Sequence, residues 1–164
     1  MLQIETEFGI VLADDEDRDL FTTKTGKAKK HLGFKWNGTS PHVELNGHPV
    51  HKIILERKIG RKLLPTEVTD HKHGNTLDNR RSELRVATRQ QNAQNRGMPS
   101  NNKCGYKGVH FVVNSGKPGY QAQIGAGGRL HTIGYFDTPE EAARAYDREA
   151  RKHFGEFARP NFPE

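Results

Sequence analysis

Residues 68–92 read VTDHKHGNTLDNRRSELRVATRQQN, and the pattern of this stretch decides the fold. Short strands are predicted over Val68–His71 and Leu84–Ala87, the second from its alternating side chains. Turn-forming residues lie between them, at Gly74-Asn75 and Asp78-Asn79. Residues 88–91 then carry a Thr and a Gln at capping-box spacing, which is typical of a helix start. The stretch therefore predicts two strands followed by a helix.

Asp70, His71 and Asn92 are the side chains of this stretch that suit phosphodiester cleavage. Cleavage needs a base that takes a proton from water and a metal that stabilises charge on the phosphate. Neighbours in a strand point to opposite faces, so Asp70 can bind a metal while His71 faces the attacking water. Asn92 offers a second oxygen ligand from the helix. These oxygen ligands suit a hard divalent cation, Mg²⁺ first, with Mn²⁺ as the alternative.

The order and spacing of residues 68–92 resemble the HNH homing-type endonucleases of phages and bacteria. Those proteins have an acidic residue before a His, then Gly-Asn, paired Asx residues with Arg, Asn-Leu, and an Asn on a helix. The resemblance implies a ββα-metal fold with Asp70 and Asn92 as metal ligands and His71 as the general base. It also implies double-stranded DNA as the partner and no small-molecule substrate. Nicking and double-strand cutting both stay open.

Glu83 belongs to the implied catalytic set but departs from the family pattern. The family has Asn there, and its amide bridges the loop backbone and holds the His in register. A carboxylate accepts such hydrogen bonds but donates none, and it could compete for the metal or draw a proton onto His71. Asn79 is a nearby amide that could compensate. The alternative function is a non-catalytic DNA-binding protein whose HNH site Glu83 has disabled.

Residues 104–163 have the clearest pattern of strands and helix in the chain. Strands are predicted over residues 108–113, 120–124 and 130–136. Thr138 to Glu141 combine an N-cap Thr, a Pro at the first position and a Glu three residues on, so a helix begins there. Gly155 ends it. One face of this helix carries core residues, at Ala143, Tyr146 and Ala150. The segment predicts a three-stranded antiparallel sheet packed on one helix.

The sequence GYFDTPEEAARAYD at residues 134–147 and the closing NFP at residues 161–163 resemble the AP2 DNA-binding domain. YKGV at residues 106–109 and YQAQI at residues 120–124 fit the same domain. Such a domain implies a sheet face that enters the major groove of DNA. Several positions that carry base-reading arginines in plant members have other residues here, so we expect weak or different base specificity.

DNA contacts are expected from both parts of the chain. Arginines around the nuclease-like motif are expected to grip the DNA backbone, and strand parity selects the side chains of the sheet. The candidates are Arg80, Arg81, Arg85, Arg89, Lys107, His110, Lys117, Gln121, Gln123 and Arg129.

Residues 1–50 predict a small β-rich module. Phe8–Leu12 is an apolar strand, and Asn46-Gly47 is a hairpin-turn signal. The acidic run at residues 14–17 is interpreted as a solvated loop or helix start, with a metal site as the alternative. His51, at the start of a helix that stops at Gly60, is interpreted as packing or capping that helix.

The 164 residues contain only 32% hydrophobic side chains and a formal net charge of +6. This composition excludes one large core and favours small modules with thin cores. Residues 51–102 carry 11 basic and 5 acidic side chains, so the surplus predicts a polyanion partner at one place. The lone Cys104 and the lack of an apolar span predict a soluble, intracellular protein without membrane contact. The resemblance to phage endonucleases implies the cytoplasm of a phage or prophage host cell.

The predicted organisation is α+β, with a β-rich module over residues 1–50, a nuclease domain over 51–97, a linker over 98–103 and an AP2-like domain over 104–164. A metal-stabilised structural module is a third reading of the nuclease-like segment. The oligomeric state stays open.

Overall fold

The computed structural model describes residues 1–36 and 40–163. They divide into two compact units, Met1–Asn92 and Ala93 onwards. Each contains short antiparallel strands and at least one helix, which confirms the predicted α+β class.

In the described residues of the first unit, the strands form three small antiparallel sheets and the chain forms two α-helices. Strands β1 (Leu2–Thr6) and β2 (Gly9–Ala13) form a hairpin, and a short 3-10 helix follows over Asp15–Leu20. The remaining elements are β3 (Leu32–Trp36), β4 (Pro41–Leu45), β5 (His48–Pro49), α1 (Val50–Ile59), β6 (Glu67–His71), β7 (Leu84–Thr88) and α2 (Arg89–Gln94), whose last residues pass the unit boundary.

Backbone geometry confirms the predicted turn and the predicted helix end in the first unit. Asn46 and Gly47 both have positive φ, 54° and 78°, as the two-residue hairpin between β4 and β5 requires. Gly60 ends α1 at φ 70°, a left-handed conformation that a glycine adopts without steric cost. The strand β1 was not predicted, because LQIET carries no turn signal before it.

One hydrophobic core joins the N-terminal hairpin to the rest of the first unit. Val11 and Phe21 pack in the same buried cluster as Ile54 and Leu84. The backbone connects the same regions, since Leu12 N–H donates to Leu77 O at 2.9 Å and Asn79 N–H donates to Leu12 O at 2.8 Å. The described residues of Met1–Asn92 thus share one core, whereas the sequence predicts a boundary after residue 50.

The second unit is a three-stranded antiparallel sheet with one long helix. The strands are β8 (Val109–Asn114), β9 (Lys117–Ala126) and β10 (Arg129–Phe136), with β9 in the centre. Helix α3 spans Pro139–Phe154. The predicted capping box is present, because Thr138 Oγ1 accepts from Glu141 N–H and the Glu141 carboxylate accepts from Thr138 N–H.

Small residues bring α3 close to the sheet. Ala143 and Ala150 are fully buried against strand residues such as Val109 and Ile124. Gly108, at φ 76°, marks the closest approach, since a Cβ there would lie 2.2 Å from the Tyr146 ring. These contacts confirm the predicted helix face.

The C-terminal tail is fixed to α3 by a buried carboxylate. Asp147 accepts hydrogen bonds from the backbone of Asn161 at 2.7 Å and of Phe162 at 2.9 Å. The Asn161 amide in turn bridges Asp147 and the Lys107 backbone. These hydrogen bonds therefore attach the NFP sequence to the rest of the second unit.

Among the described residues, no helix is long and apolar enough to cross a membrane.

Candidate active site and C-terminal sheet

The β6–β7 hairpin places Asp70 and His71 at the end of a strand whose partner begins opposite them. Asp70 pairs with Arg85 and His71 with Leu84 in the register. Both side chains are largely buried, Asp70 at 2% exposure and His71 at 8%. Gly74 N–H donates to His71 O at 2.9 Å, which turns the chain immediately after the strand. The hairpin therefore holds the Asp70 and His71 side chains in fixed positions that are largely shielded from water.

The Asp70 side chain is hydrogen-bonded to an arginine. Arg85 Nε donates to Asp70 Oδ2 at 2.7 Å, and little of either side chain is exposed. A carboxylate has about four lone-pair sites, so one guanidinium contact is compatible with metal ligation. The guanidinium offsets part of the cost of burying this acidic side chain.

Asn92 lies half-buried on α2, which directly follows β7. The helix begins with the predicted capping box, because Gln91 N–H donates to Thr88 Oγ1 at 3.2 Å and Thr88 N–H donates to the Gln91 side chain at 2.8 Å. Two N-terminal backbone groups are thereby satisfied, and the short helix is fixed at the end of the strand that pairs with Asp70.

The Asp70 carboxylate and the Asn92 amide fit a magnesium-type cation in their chemistry. Both offer hard oxygen atoms. Within residues 1–36 and 40–163, no group of three His, Cys, Asp or Glu side chains could hold a metal. Mg²⁺ is commonly held by one or two carboxylates together with substrate phosphates and waters.

His71 is held near its neutral form. Burial lowers its pKa, and this effect is opposed by hydrogen bonding with the Asn79 side chain and by the negative charges of Asp70 and Asp78. A neutral imidazole can accept a proton at ordinary pH, which is what a general base must do.

Three imidazoles pack in a row beside this site. The His71 ring meets the His51 ring edge-on at 5.3 Å between centroids, and His51 meets His42 at 5.9 Å. His42 Nε2 lies 3.2 Å from Glu44 Oε1. Burial, assisted by the two flanking histidines, lowers the pKa of His51 to about 3. The row therefore carries a neutral ring at its centre.

Glu83 interacts with an exposed neighbour. Its carboxylate forms a short contact with His73 Nδ1, while its backbone carbonyl accepts from Lys72 N–H at 2.9 Å. Asn79, at 1% exposure, lies beside His71 and donates from its amide to Leu77 O at 3.2 Å. The amide next to the imidazole is therefore supplied by Asn79.

The arginines near the hairpin form intramolecular ion pairs. Arg80 pairs with Asp78, and Arg81 Nε donates to Asp17 Oδ2 at 2.7 Å. Arg81 also binds Glu16, and its backbone N–H donates to Asp14 Oδ2 at 2.7 Å. Together with the Asp70 contact of Arg85, these pairs engage three of the four candidate arginines. Arg89, on the first turn of α2, is exposed.

The open face of the C-terminal sheet carries a polar row. His110, Gln121 and Tyr135 lie directly opposite one another on β8, β9 and β10. Gln121 Nε2 donates to the Tyr135 hydroxyl at 2.9 Å, and Gln123 Nε2 donates to Gln121 Oε1 at 2.8 Å. His110 and Tyr135 are exposed, so the row presents donors and acceptors of the kind that read base edges.

Exposed cations flank the sheet, and one predicted contact residue is placed elsewhere. Lys117 lies beside the β8–β9 turn and Arg129 beside the β9–β10 turn, both exposed. The Lys107 ammonium instead donates to the backbone carbonyls of Gln94 at 2.6 Å and Arg96 at 2.7 Å. Burial lowers its pKa to about 8.

Two contributions were not predicted from sequence. The acidic run begins a 3-10 helix at Asp15, as predicted, and it also binds Arg81 through Asp14, Glu16 and Asp17, which was not predicted. His42 joins the imidazole row from β4. Isolated acidic and histidine residues carry no periodicity that would relate them to a partner about 65 or 30 positions away.

Similarity to other proteins agrees with this geometry. The profile of a family described as HNH endonuclease matches residues 48–94. An uncharacterized HNH endonuclease of Acanthamoeba polyphaga mimivirus is 34% identical over 132 residues, which cover 78% of this chain and 67% of that protein.

Two plant proteins are also similar. Dehydration-responsive element-binding protein 2D of Arabidopsis thaliana is 34% identical over 87 residues, 49% of this chain and 39% of that protein. Protein 2A of the same name is 37% identical over 68 residues, 42% of this chain and 20% of that protein. The chain thus spans two thirds of the viral relative and less than half of either plant relative. No solved structure matches.

Proposed function

Because the chain belongs to the HNH endonuclease family, we propose that it is a metal-dependent endonuclease that hydrolyses double-stranded DNA. The observation that carries this proposal is the buried pair of Asp70 and His71 at the end of β6. A carboxylate and a near-neutral imidazole lie adjacent there, on a hairpin fixed by its partner strand. The similarity to two plant proteins named for binding a DNA element supports a DNA-positioning role for the C-terminal sheet.

In the proposed reaction, His71 accepts a proton from the water that attacks the phosphorus. The water oxygen forms the new bond to phosphorus, and the bond to the 3′ oxygen breaks, leaving a 5′-phosphate and a 3′-hydroxyl. Asp70 and Asn92 would hold the cation, Mg²⁺ or Mn²⁺, and that cation would stabilise charge on the phosphate and leaving oxygen. Arg85 orients the Asp70 carboxylate through a hydrogen bond.

DNA contact is proposed from Arg89 near the cleavage site and from the open sheet. His110, Gln121 and Gln123 suit base edges, while Lys117 and Arg129 suit phosphates. Arg80, Arg81, Arg85 and Lys107 already make intramolecular contacts, so we propose a smaller contribution to DNA binding from them. Action inside a virus-infected or phage-infected host cell is the setting that the viral relative supports.

The test is incubation with supercoiled plasmid in the presence of Mg²⁺, with EDTA as the matched control. We expect nicked product with Mg²⁺, with 3′-hydroxyl ends that a DNA polymerase extends without prior treatment. Unchanged supercoiled plasmid with both Mg²⁺ and Mn²⁺ would overturn the proposal.

The second candidate is a non-catalytic DNA-binding protein, and the carboxylate of Glu83 is the observation that favours it. Glu83→Asn separates the two functions. A gain from no cleavage to metal-dependent cleavage would assign the native chain to DNA binding alone, whereas equal cleavage by both proteins supports the enzyme.

A further inference from the structure

The imidazole row is anchored where α1 enters the core of the first unit. Val50, Ile54 and Leu55 are fully buried and fix the first turns of that helix. His51 projects from between them and meets the His71 ring edge-on at 5.3 Å, with an interplanar angle of 75°. Because the helix is held on several sides, the His51 ring has a defined position against the proposed base.

His51 is in turn supported from behind. His42, on β4, meets it at 5.9 Å with an interplanar angle of 61°, and Glu44 lies 3.2 Å from His42 Nε2. A carboxylate at that distance orients the His42 ring, since Nε2–H donates to it. The Glu44 carboxylate therefore orients the His42 ring, His42 packs against His51, and His51 packs against His71. Each contact restricts the rotation of the next ring.

Packing, and not hydrogen bonding, links His51 to the base. Within the described part of the chain, His51 Nδ1 is buried and has no hydrogen-bond partner. The edge-on geometry is the arrangement that aromatic rings prefer when they pack. A neutral ring at this position also keeps water and charge away from one face of His71.

We propose that His51 is a positioning residue, which orients the His71 imidazole for proton abstraction through edge-on ring packing. This inference rests on the proposed nuclease function. His51 does not touch DNA or the reacting atoms in this account; it acts through His71. Its contribution lies in the rate of the chemical step and not in DNA affinity, because an imidazole rotated away from the water loses the base function while the DNA-binding groups are unchanged.

Two substitutions of similar size separate packing from hydrogen bonding. His51→Phe keeps an aromatic ring and removes both nitrogens, whereas His51→Gln keeps polar groups and removes the ring. His48→Gln is the matched control, because His48 is exposed just before the same helix. Single-turnover nicking of supercoiled plasmid with Mg²⁺ gives the chemical rate, and fluorescence anisotropy with labelled duplex in Ca²⁺ gives the affinity.

We expect His51→Gln to nick about tenfold to a hundredfold more slowly than the parent. His51→Phe and His48→Gln should stay within about threefold of the parent rate, and all three variants within about threefold of its affinity. A His51→Gln protein as fast as the parent would overturn the proposal. A His51→Phe protein as slow as His51→Gln would also overturn it, because a nitrogen of His51 would then be required.

Ring signals of His71 provide a readout that needs no cleavage. In spectra of protein labelled at histidine, the His71 Cδ2–H and Cε1–H signals should keep their ring-current shifts in His51→Phe and lose them in His51→Gln. Unchanged His71 signals in His51→Gln contradict the positioning role. A parent protein that cuts no DNA would overturn the proposed function instead, and the ring signals would still decide whether His51 orients His71.

Discussion

Arg81 and Arg85 in the first unit bind carboxylates that are almost fully buried, whereas Lys117 and Arg129 in the second unit lie exposed beside turns. The two regions use the same type of charge differently. Buried pairs fix groups that must be in place before the substrate arrives, and exposed cations can exchange counterions for phosphates. Positive charge in the sequence therefore does not by itself mark a DNA contact.

The surplus of basic residues in the middle third illustrates this difference. This surplus predicts that the electrostatic attraction to a polyanion is strongest near the proposed cleavage site. In the structure, three of the four candidate arginines there form internal pairs with Asp78, Asp17 and Asp70. We therefore expect the electrostatic part of DNA affinity to depend on Arg89 and on the cations of the sheet.

The largest expected effect concerns the buried carboxylate at the proposed metal site. Asp70→Asn should reduce plasmid nicking by at least about a hundredfold, because the amide carries no charge for a cation and replaces the carboxylate that Arg85 binds. The gel-based nicking rate at saturating Mg²⁺ is the measurement. Asp19→Asn, an exposed carboxylate of the same unit, is the control. Parental cleavage by Asp70→Asn would show that this residue holds no metal.

A second large effect concerns folding. Arg81→Ala should lower the free energy of unfolding by up to about 3 kcal/mol, because Asp17 is 0% exposed and keeps only the longer contact with Arg57, at 3.3 Å. Arg18→Ala removes an ion pair in which both side chains are exposed, and should cost less than about 1 kcal/mol. Urea denaturation followed by circular dichroism compares them. Similar losses for both variants would mean that burial does not distinguish the two pairs.

The neutral ring of His51 predicts a loss of stability in acid. Its folded pKa of about 3 lies below the unfolded value of about 6.5, so the unfolded chain binds more protons between these pH values. Stability is complete above pH 6.5 and decreases as the pH falls, by about 2 kcal/mol at pH 5 from this group. His42 and His71 face the same ring. Thermal unfolding of His51→Phe should change less between pH 7 and pH 5 than that of the parent.

The smallest expected effects concern the exposed cations. Arg129→Ala and Lys117→Ala should each weaken duplex binding a few-fold and reduce the slope of log affinity against log salt by about 0.9 per lost phosphate contact. Arg80→Ala should leave that slope unchanged, because Arg80 pairs with Asp78. Fluorescence anisotropy titrations at salt concentrations from about 50 to about 200 mM measure this slope. If Arg80→Ala reduced the salt slope more than Arg129→Ala or Lys117→Ala, Arg80 would be a phosphate contact, and this expectation would be wrong.

Local patterns predicted much of the fold. The capping boxes at Thr88 and Thr138, the Asn46-Gly47 turn and the end of α1 at Gly60 are all present, because each depends on residues within a few positions. The resemblance to HNH endonucleases with a C-terminal AP2 domain is confirmed by the family match and the viral and plant relatives.

Contacts between distant residues could not be predicted in the same way. The pairing of Arg81 with Asp17 spans 64 positions, and the meeting of His42 with His71 through His51 depends on how β4, α1 and β6 pack. A sequence pattern identifies which faces of an element are apolar, but not which polar side chains meet across the core. The roles assigned to Asp70, His71, Glu83 and Asn92 stay predictions.

The most direct test of the account compares His71→Ala with His73→Ala in single-turnover plasmid nicking at saturating Mg²⁺. His71 is buried beside Asn79 and His51, whereas His73, two residues on, is exposed and binds Glu83. We expect His71→Ala to lose at least about a hundredfold in rate, as for loss of a general base, while His73→Ala cuts within a few-fold of the parent. Cleavage by His71→Ala at the parental rate would contradict this expectation.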